Sequence, residues 1–152
     1  MLAKVLSPWL DGGIEHIGST AIPRIVAKPI IDMMAGVRDL EEARAAFGPL
    51  GDQSYVPDPH RPGIAHHFAK PSRQLPEATH SLHLTEPGSD LWRERLAFRD
   101  ALRRDADLAA EYETLKLKLA RVFRDDAQAY VAGKRAFVTR VLAGPGLQPG
   151  RR

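Results

Sequence analysis

The sequence contains no cysteine, and this absence removes several kinds of chemistry at once. Disulfide bonds, thiolate nucleophiles and cysteine-based zinc sites are all excluded. Any metal ion would therefore have to be held by carboxylate or imidazole ligands.

Long apolar segments are also missing. No uninterrupted apolar run approaches the roughly 20 residues that a membrane-spanning helix needs, and residues 1–10 lack the charged start and the cleavage site of a signal peptide. We therefore expect no membrane association and a cytoplasmic location. The 152 residues, 43% of them hydrophobic and 27% charged, are typical of one soluble globular domain.

Positive charge is concentrated in the C-terminal part of the chain. Residues 1–89 contain 8 Lys and Arg against 10 Asp and Glu, and residues 90–152 contain 14 against 9, so the formal net charge of +3 divides into −2 and +5. This bias favours an anionic ligand, although solvated helices produce the same bias. A nucleic-acid partner is the weaker interpretation, because acidic residues are interspersed and few aromatic side chains accompany the positive ones.

The N-terminal part of the chain has the pattern of a β-sheet. Short apolar runs, broken by Gly, Pro and Asp, predict strands over residues 14–17, 30–37, 64–70 and 81–85. Asp39 and Glu42 form a capping box that predicts a helix, which Gly48-Pro49 should stop. Residues 48–63 are expected to form an irregular loop or a partly ordered strand.

The C-terminal part has helical spacing instead. Ser89 should cap a helix that runs to about Arg104. Two further helices are indicated by apolar residues at spacings of three and four: Leu108, Tyr112, Leu115, Leu119 and Val122, then Tyr130, Phe137, Val138 and Val141 before Gly144-Pro145. The prediction is an α/β (α+β) fold in a single domain over residues 1–145, followed by a flexible tail over 146–152.

Asp32 is the sharpest functional signal, because it interrupts a run of isoleucines and methionines that is typical of a buried strand. A carboxylate there is costly to desolvate unless something compensates it. The functional interpretation makes Asp32 a Mg²⁺ ligand. The structural interpretation gives it a buried hydrogen-bonding partner, and both remain open.

A small polar turn follows the first predicted strand. Gly18, Ser19 and Thr20 can present backbone amides to a phosphate, especially if a short helix begins at Ala21. Most Gly-Ser turns only reverse the chain. Lys28 would either neutralise Asp32 or contact a phosphate, and the alternative is a lysine in water at the start of a strand.

Histidines and further basic residues complete the candidates. His83 should lie on the less apolar face of its strand, opposite Leu82 and Leu84, and it serves either as a ligand or as a structural residue. Three basic residues at the margins of apolar helix faces would converge on one anion, or would extend their charged ends into water: Arg99, Lys116 and Lys134.

Five segments of the chain resemble the GrpB family, in the same order and over almost the whole length. They are EHIGSTAIP, AKPIIDMMAGV, HSLHLTEPGSDLWRERLAFRDALRRD, AEYETLKLKLA and AYVAGKRAFV. The resemblance implies a fold similar to polymerase-beta-type nucleotidyltransferases: a mixed β-sheet with the C-terminal helices packed alongside. In active members of that superfamily a Gly-Ser turn holds the triphosphate, and two carboxylates separated by one residue hold divalent metal ions, with a third acid on a later strand.

This sequence departs from that pattern at two positions. Met34 stands two residues after Asp32, and His83 occupies the later strand where an acid is expected. The resemblance then implies catalytic and metal-binding roles for Asp32 and His83, with Mg²⁺ or Mn²⁺ as the cofactor. Phosphate binding falls to Gly18, Ser19, Thr20, Lys28 and the basic helical residues. The hypothesis is a nucleotidyltransferase, or a protein that binds a phosphorylated small molecule or nucleotide; the alternative is an inactive ligand-binding or regulatory module.

Overall fold

The structure is a computed structural model, which describes residues 2–23, 25, 30–59, 61–73 and 78–144. The described residues pack into two compact units: those that fall within 1–21 and 27–95, and those that fall within 22–26 and 96–152. The boundary of a single domain at residue 145 stays a prediction. The predicted tail over 146–152 lies outside the described residues.

A five-stranded mixed sheet forms the centre of the first unit. Its strands are β1 (Leu10–Ile17), β2 (Ile31–Val37), β3 (Val56–Pro57), β4 (His66–Lys70) and β5 (His80–Thr85). Their order is β1-β2-β5-β4-β3, with β1 antiparallel to β2, β2 parallel to β5, and β4 antiparallel to both β5 and β3. The predicted strands are thus confirmed, with shifted ends. The register of β1 against β2 slips between Leu10 and Ile14.

One face of this sheet carries the hydrophobic core of the first unit. Leu82 and Leu84 of β5 and Phe68 of β4 are fully buried there. Because strand side chains alternate, His67, Ser81 and His83 point to the opposite face. The predicted placement of His83 opposite the two leucines is therefore confirmed.

The short helical segments of the first unit differ from expectation. A five-residue helix, α1 (Leu2–Leu6), precedes β1. Half of the predicted capping box is present: Asp39 Oδ1 accepts from the Glu42 amide at 2.9 Å, while the Glu42 carboxylate accepts from Arg38 at 3.1 Å. The prediction that Gly48-Pro49 ends the helix is wrong: a 3₁₀ turn over Glu42–Ala46 leads into α2 (Phe47–Asp52). Proline is tolerated in the first turn of a helix, where its missing amide has no helical acceptor.

Three longer helices follow the sheet: α3 (Asp90–Arg104), α4 (Ala106–Val122) and α5 (Ala127–Ala143). The Trp92 amide donates to Ser89 Oγ at 3.2 Å, which confirms the predicted cap of α3. Asp105 and Asp126 cap the next two helices in the same way. None of the helices in the described part of the chain has the length and apolar character needed to cross a bilayer.

Aromatic side chains form the core of the second unit. Tyr112 stacks on Phe137 at a ring separation of 5.3 Å and meets the edge of Phe98 at 5.1 Å. Leu119 is buried, but Val122 is 56% exposed, so the predicted apolar stripe of α4 ends one turn early.

Gly36 permits the close approach of Pro87 and Trp92 to the sheet. A Cβ atom at Gly36 would lie 2.8 Å from Pro87 Cγ and 3.0 Å from Trp92 Cη2, whereas one at Gly51 would meet nothing within 4 Å. We expect Gly36→Ala to lower the free energy of unfolding by about 1–3 kcal/mol through overpacking. Gly51→Ala, within α2, should leave it unchanged or raise it by up to about 1 kcal/mol. Urea denaturation measures both, and equal effects would contradict this account of the packing.

Candidate functional site

Asp32 lies beside the Gly-Ser turn that was predicted to bind phosphate. Ile17, the last residue of β1, pairs with Asp32 in the sheet, so the turn that follows passes over the carboxyl group. Gly18 has a φ of +74°, and a Cβ atom there would lie 2.9 Å from Asp32 Oδ2. A 3₁₀ turn over Ser19–Ala21 then begins two residues earlier than expected. Glycine is therefore required at position 18 for both conformation and space.

A cavity of about 310 Å³ opens next to this carboxyl group, within the first unit. Its lining combines one acid, two arginines, two histidines and a serine with two apolar residues: Asp32, Arg61, Ala65, His67, Ser81, His83, Leu91 and Arg95. The parallel pairing of β2 with β5 sets Asp32 opposite Ser81 and Met34 opposite His83. The sheet thus brings Asp32 and His83, the two predicted catalytic residues, to one cavity.

The carboxylate of Asp32 is held in its ionised form. Burial alone would raise its pKa, but contact with His83 and the charges of Arg95 and His67 together lower the pKa below its usual value of 3.8. His83 Nε2 lies 3.3 Å from Asp32 Oδ1. This approach is an electrostatic contact without hydrogen-bond alignment, since Oδ1 is buried and has no hydrogen-bond partner among the described residues.

His67 is hydrogen-bonded through both ring nitrogens. Nδ1 lies 2.8 Å from the carbonyl oxygen of Asp58, and Nε2 lies 2.6 Å from Ser81 Oγ. Its ring also packs at 4.5 Å from the ring of His83. These contacts hold His67 in a single orientation at the cavity wall.

The other residues predicted to bind phosphate lie in different settings. Thr20 Oγ1 contacts His16 Nε2 at 2.8 Å and the Ile30 carbonyl at 3.4 Å, so this side chain ties the turn to its own neighbours. Lys28 lies outside the described residues.

The three basic residues of the helices belong to the second unit, on three different helices. Arg99 donates to Asp100 at 2.9 Å. The ammonium groups of Lys116 and Lys134 lie over the rings of Tyr112 and Tyr130, at 5.4 and 5.2 Å. A shared role in binding one anion stays a prediction.

Sequence reasoning missed several residues of the cavity. Arg95 follows Leu91 by four residues and so lies on the same face of α3. This spacing could have placed Arg95 beside Leu91 at the cavity. Arg61 lies in an irregular segment and gave no such signal. His67 and Ser81 were not among the candidates, because nothing in their spacing distinguishes them from other polar residues of a strand.

The fit of this site to divalent metal ions is limited. Met34 is fully buried and offers no oxygen ligand. In the part of the chain that the structure describes, no three His, Asp or Glu side chains are grouped so as to hold a metal ion. Asp32 and His83 would suit one ion at most, so a pair of ions bridging two acids does not fit these residues.

Comparison with known proteins identifies the family. A profile described as GrpB protein matches residues 1–143. The chain belongs to the GrpB family. Its sequence is 42% identical over 128 residues to a UPF0157 protein of Deinococcus radiodurans and 35% identical over 135 residues to the glutamate-rich protein GrpB of Alkalihalophilus pseudofirmus. The family resemblance inferred from the sequence is thus confirmed.

The alignments cover different shares of these relatives. They take in 84% and 85% of this chain, but 64% of the Deinococcus protein and 76% of the Alkalihalophilus protein. The chain spans only 35% of the YqkA protein of Bacillus subtilis, to which it is 38% identical over 123 residues.

A solved structure supports the fold. The crystal structure of the conserved protein GrpB from Enterococcus faecalis matches with a TM-score of 0.77 at 27% identity, covering 93% of this chain and 86% of that one. The predicted α+β class with a mixed sheet is confirmed.

Gly18→Ala tests the contact between the turn and Asp32. Gly63 is a matched control, because it also has a positive φ, +84°, but a Cβ atom added there would meet nothing within 4 Å. Both substitutions strain the backbone by about 1–2 kcal/mol. We expect Gly18→Ala to destabilise the fold by about 1–3 kcal/mol more than Gly63→Ala through the clash. Urea denaturation should show this difference, and Asp32→Ala should reduce it by removing Oδ2 but not Cβ, which would lie 3.0 Å from the added atom. Equal losses at both glycines would contradict the close approach.

The ionised state of Asp32 predicts a pH dependence of stability. Because the folded-state pKa is lowered, the carboxylate stabilises the fold above the ordinary pKa of 3.8 and this contribution is lost as the pH falls through the lower folded-state value. Asp32→Asn removes the titrating group. The wild type should therefore lose its advantage over Asp32→Asn as the pH falls below about 5 and through the lowered folded-state pKa, measured by urea denaturation. An advantage that grows on acidification would overturn the assignment.

Proposed function

We propose that this protein binds a phosphorylated small molecule or nucleotide through a phosphate group in the cavity beside Asp32. The observation that carries the proposal is the charge of the lining, which contains two arginines, Arg61 and Arg95, and one acid, Asp32. Neither arginine side chain makes a hydrogen bond or ion pair with another described residue. Guanidinium groups are well suited to phosphate oxygens because their fork of donors can bind two oxygens at once.

Asp32 would hold Arg95 in place rather than meet the ligand itself. Burial raises the pKa of this acid, but the contact with His83 and the charge of Arg95 lower it. With two arginines against one acid, the cavity keeps a formal charge of +1 when both histidines are neutral. An anion can therefore enter without displacing the internal contacts.

The Gly-Ser turn is not among the residues that line the cavity, but it lies against Asp32 and would offer the same ligand class a neighbouring contact. Gly18 brings the backbone against the carboxyl group of Asp32, because no side chain separates the two. Turns of this kind present amide hydrogens to phosphate oxygens. The size of the cavity, about 310 Å³, suits a small ligand or the phosphate portion of a nucleotide.

Arg95→Gln tests the proposal, with inorganic pyrophosphate as the probe. Losing one charge-assisted contact should raise the Kd by a factor of about 10 or more, measured by isothermal titration calorimetry. Arg93→Gln is the matched control, because Arg93 lies on the same helix but is exposed and paired with Asp90. It should leave the Kd within about twofold. Equal weakening by both variants would indicate nonspecific attraction and would contradict the proposed site.

A second candidate is metal-dependent nucleotidyl transfer, which the buried Oδ1 of Asp32 favours because that atom has no hydrogen-bond partner among the described residues. Asp32 and His83 would hold one Mg²⁺ or Mn²⁺ ion. Such an ion neutralises charge on a transferring phosphoryl group. Position 34 is a methionine where the superfamily pattern has a second metal-binding acid. This substitution argues instead for a module that binds its ligand without turnover.

Manganese binding separates the two candidates. If the protein is a transferase, the electron paramagnetic resonance signal of free Mn²⁺ should decrease when protein and ATP are added, and the Asp32→Asn variant should not decrease it. Pyrophosphate should also be released from ATP. Pyrophosphate binding with no Mn²⁺ binding and no turnover is expected of the binding module.

A further inference from the structure

A serine hydroxyl and an imidazole lie in hydrogen-bond contact at the wall of the same cavity. Ser81 Oγ and His67 Nε2 are 2.6 Å apart, and both residues line the cavity with Arg61 and Arg95. Phosphate binding alone makes no use of this pair. Its geometry is that of a nucleophile beside its base.

The second nitrogen of His67 determines which atom donates in this pair. Nδ1 lies 2.8 Å from the backbone carbonyl oxygen of Asp58, and a carbonyl oxygen can only accept. In neutral His67 the proton therefore resides on Nδ1. Nε2 then carries a lone pair and accepts the hydroxyl proton of Ser81, as a general base does. The Asp58 carboxylate, with Oδ2 at 3.7 Å from Nδ1, adds negative charge behind the ring.

The sheet fixes these two side chains in place. Ser81 on β5 pairs with Asp32 on β2 and with Ala69 on β4, so paired strands flank its backbone on both sides. His67 pairs with His83 across β4 and β5, and their rings pack at 4.5 Å. The contact between Ser81 and His67 is thus formed by backbone register as well as by the hydrogen bond.

Ser89 shows what a structural serine looks like in the same unit. Its Oγ accepts from the Trp92 amide at 3.2 Å and lies 3.1 Å from Thr85 Oγ1, so its hydroxyl serves the cap of α3. Ser81 lies within β5 and caps no helix. Its hydroxyl contacts the imidazole of His67 instead, and it faces a cavity that contains two arginines.

We propose that Ser81 is a nucleophile, activated by His67, that attacks the phosphorus atom of a small phosphate ester held by Arg61 and Arg95. This inference rests on the proposed phosphate-binding function of the cavity. It assigns a hydrolytic or transfer reaction to residues that require no metal ion.

The step balances without an external oxidant or reductant. A bond forms between Ser81 Oγ and phosphorus, and the bond from phosphorus to the ester oxygen breaks. The hydroxyl proton passes to His67 Nε2 and from there to the leaving alkoxide, which departs as an alcohol. Water then attacks the phosphoserine with His67 again as base, releasing phosphate and the free Ser81 hydroxyl.

Diisopropyl fluorophosphate is the probe, because it phosphorylates activated serines at phosphorus and releases fluoride. Peptide mass mapping of the labelled wild-type protein should find the adduct on Ser81, formed at least about 100-fold faster than any adduct on Ser89. This comparison needs no variant, so it does not depend on how a substitution affects folding. Equal labelling of the two serines, or no labelling of Ser81, would overturn the proposal.

Two variants and a competitor complete the test. Ser81→Ala should lose the adduct, and His67→Gln should slow labelling by about 100-fold or more, with circular dichroism confirming that both variants are folded. Unchanged labelling of a folded His67→Gln would rule out the general base. Inorganic pyrophosphate should slow labelling of the wild type. If pyrophosphate binds but Ser81 is not labelled, the proposed phosphate binding stands and the proposed nucleophile is wrong. If Ser81 is labelled but pyrophosphate does not slow the labelling, the proposal that the substrate is a phosphate ester is wrong.

Discussion

The ionised carboxylate of Asp32 is the interaction on which the candidate site depends. Desolvation opposes a charge on β2, and the cations around it more than offset this penalty, so the pKa is lowered despite burial. The negative charge in turn favours the presence of His83 and Arg95 at the cavity wall. Gly18 is constrained by the same group, since any side chain there would overlap the carboxyl oxygen.

Much of the fold could be predicted because local signals agreed with the tertiary structure. The apolar run around Asp32 became β2, the alternation of leucines and histidines became β5, and Ser89 capped α3 as its spacing required. The wrong predictions concern helix ends and exposure, which depend on packing and local geometry rather than on residue type alone. Pro49 lies inside α2 because it occupies the first turn, and Val122, the last residue of α4, is exposed.

The site was harder to predict than the fold. Only the family resemblance placed Asp32 and His83 together. Their separation along the chain does not, since their contact depends on the parallel pairing of β2 with β5. Arg61 enters the cavity from an irregular segment that has no periodicity to interpret. The contact of Ser81 with His67 depends on the antiparallel register of β4 against β5, which hydrophobic patterns do not specify to one residue.

The two outer strands of the sheet have a consequence for self-association. β3 is only two residues long and contains Pro57, which has no amide hydrogen to offer to a further strand. At the other border, the irregular register of β1 between Leu10 and Ile14 interrupts the regular spacing that an incoming chain would need. Both borders are therefore poor templates for β-augmentation, and fibril-like stacking of this sheet is disfavoured by its own geometry.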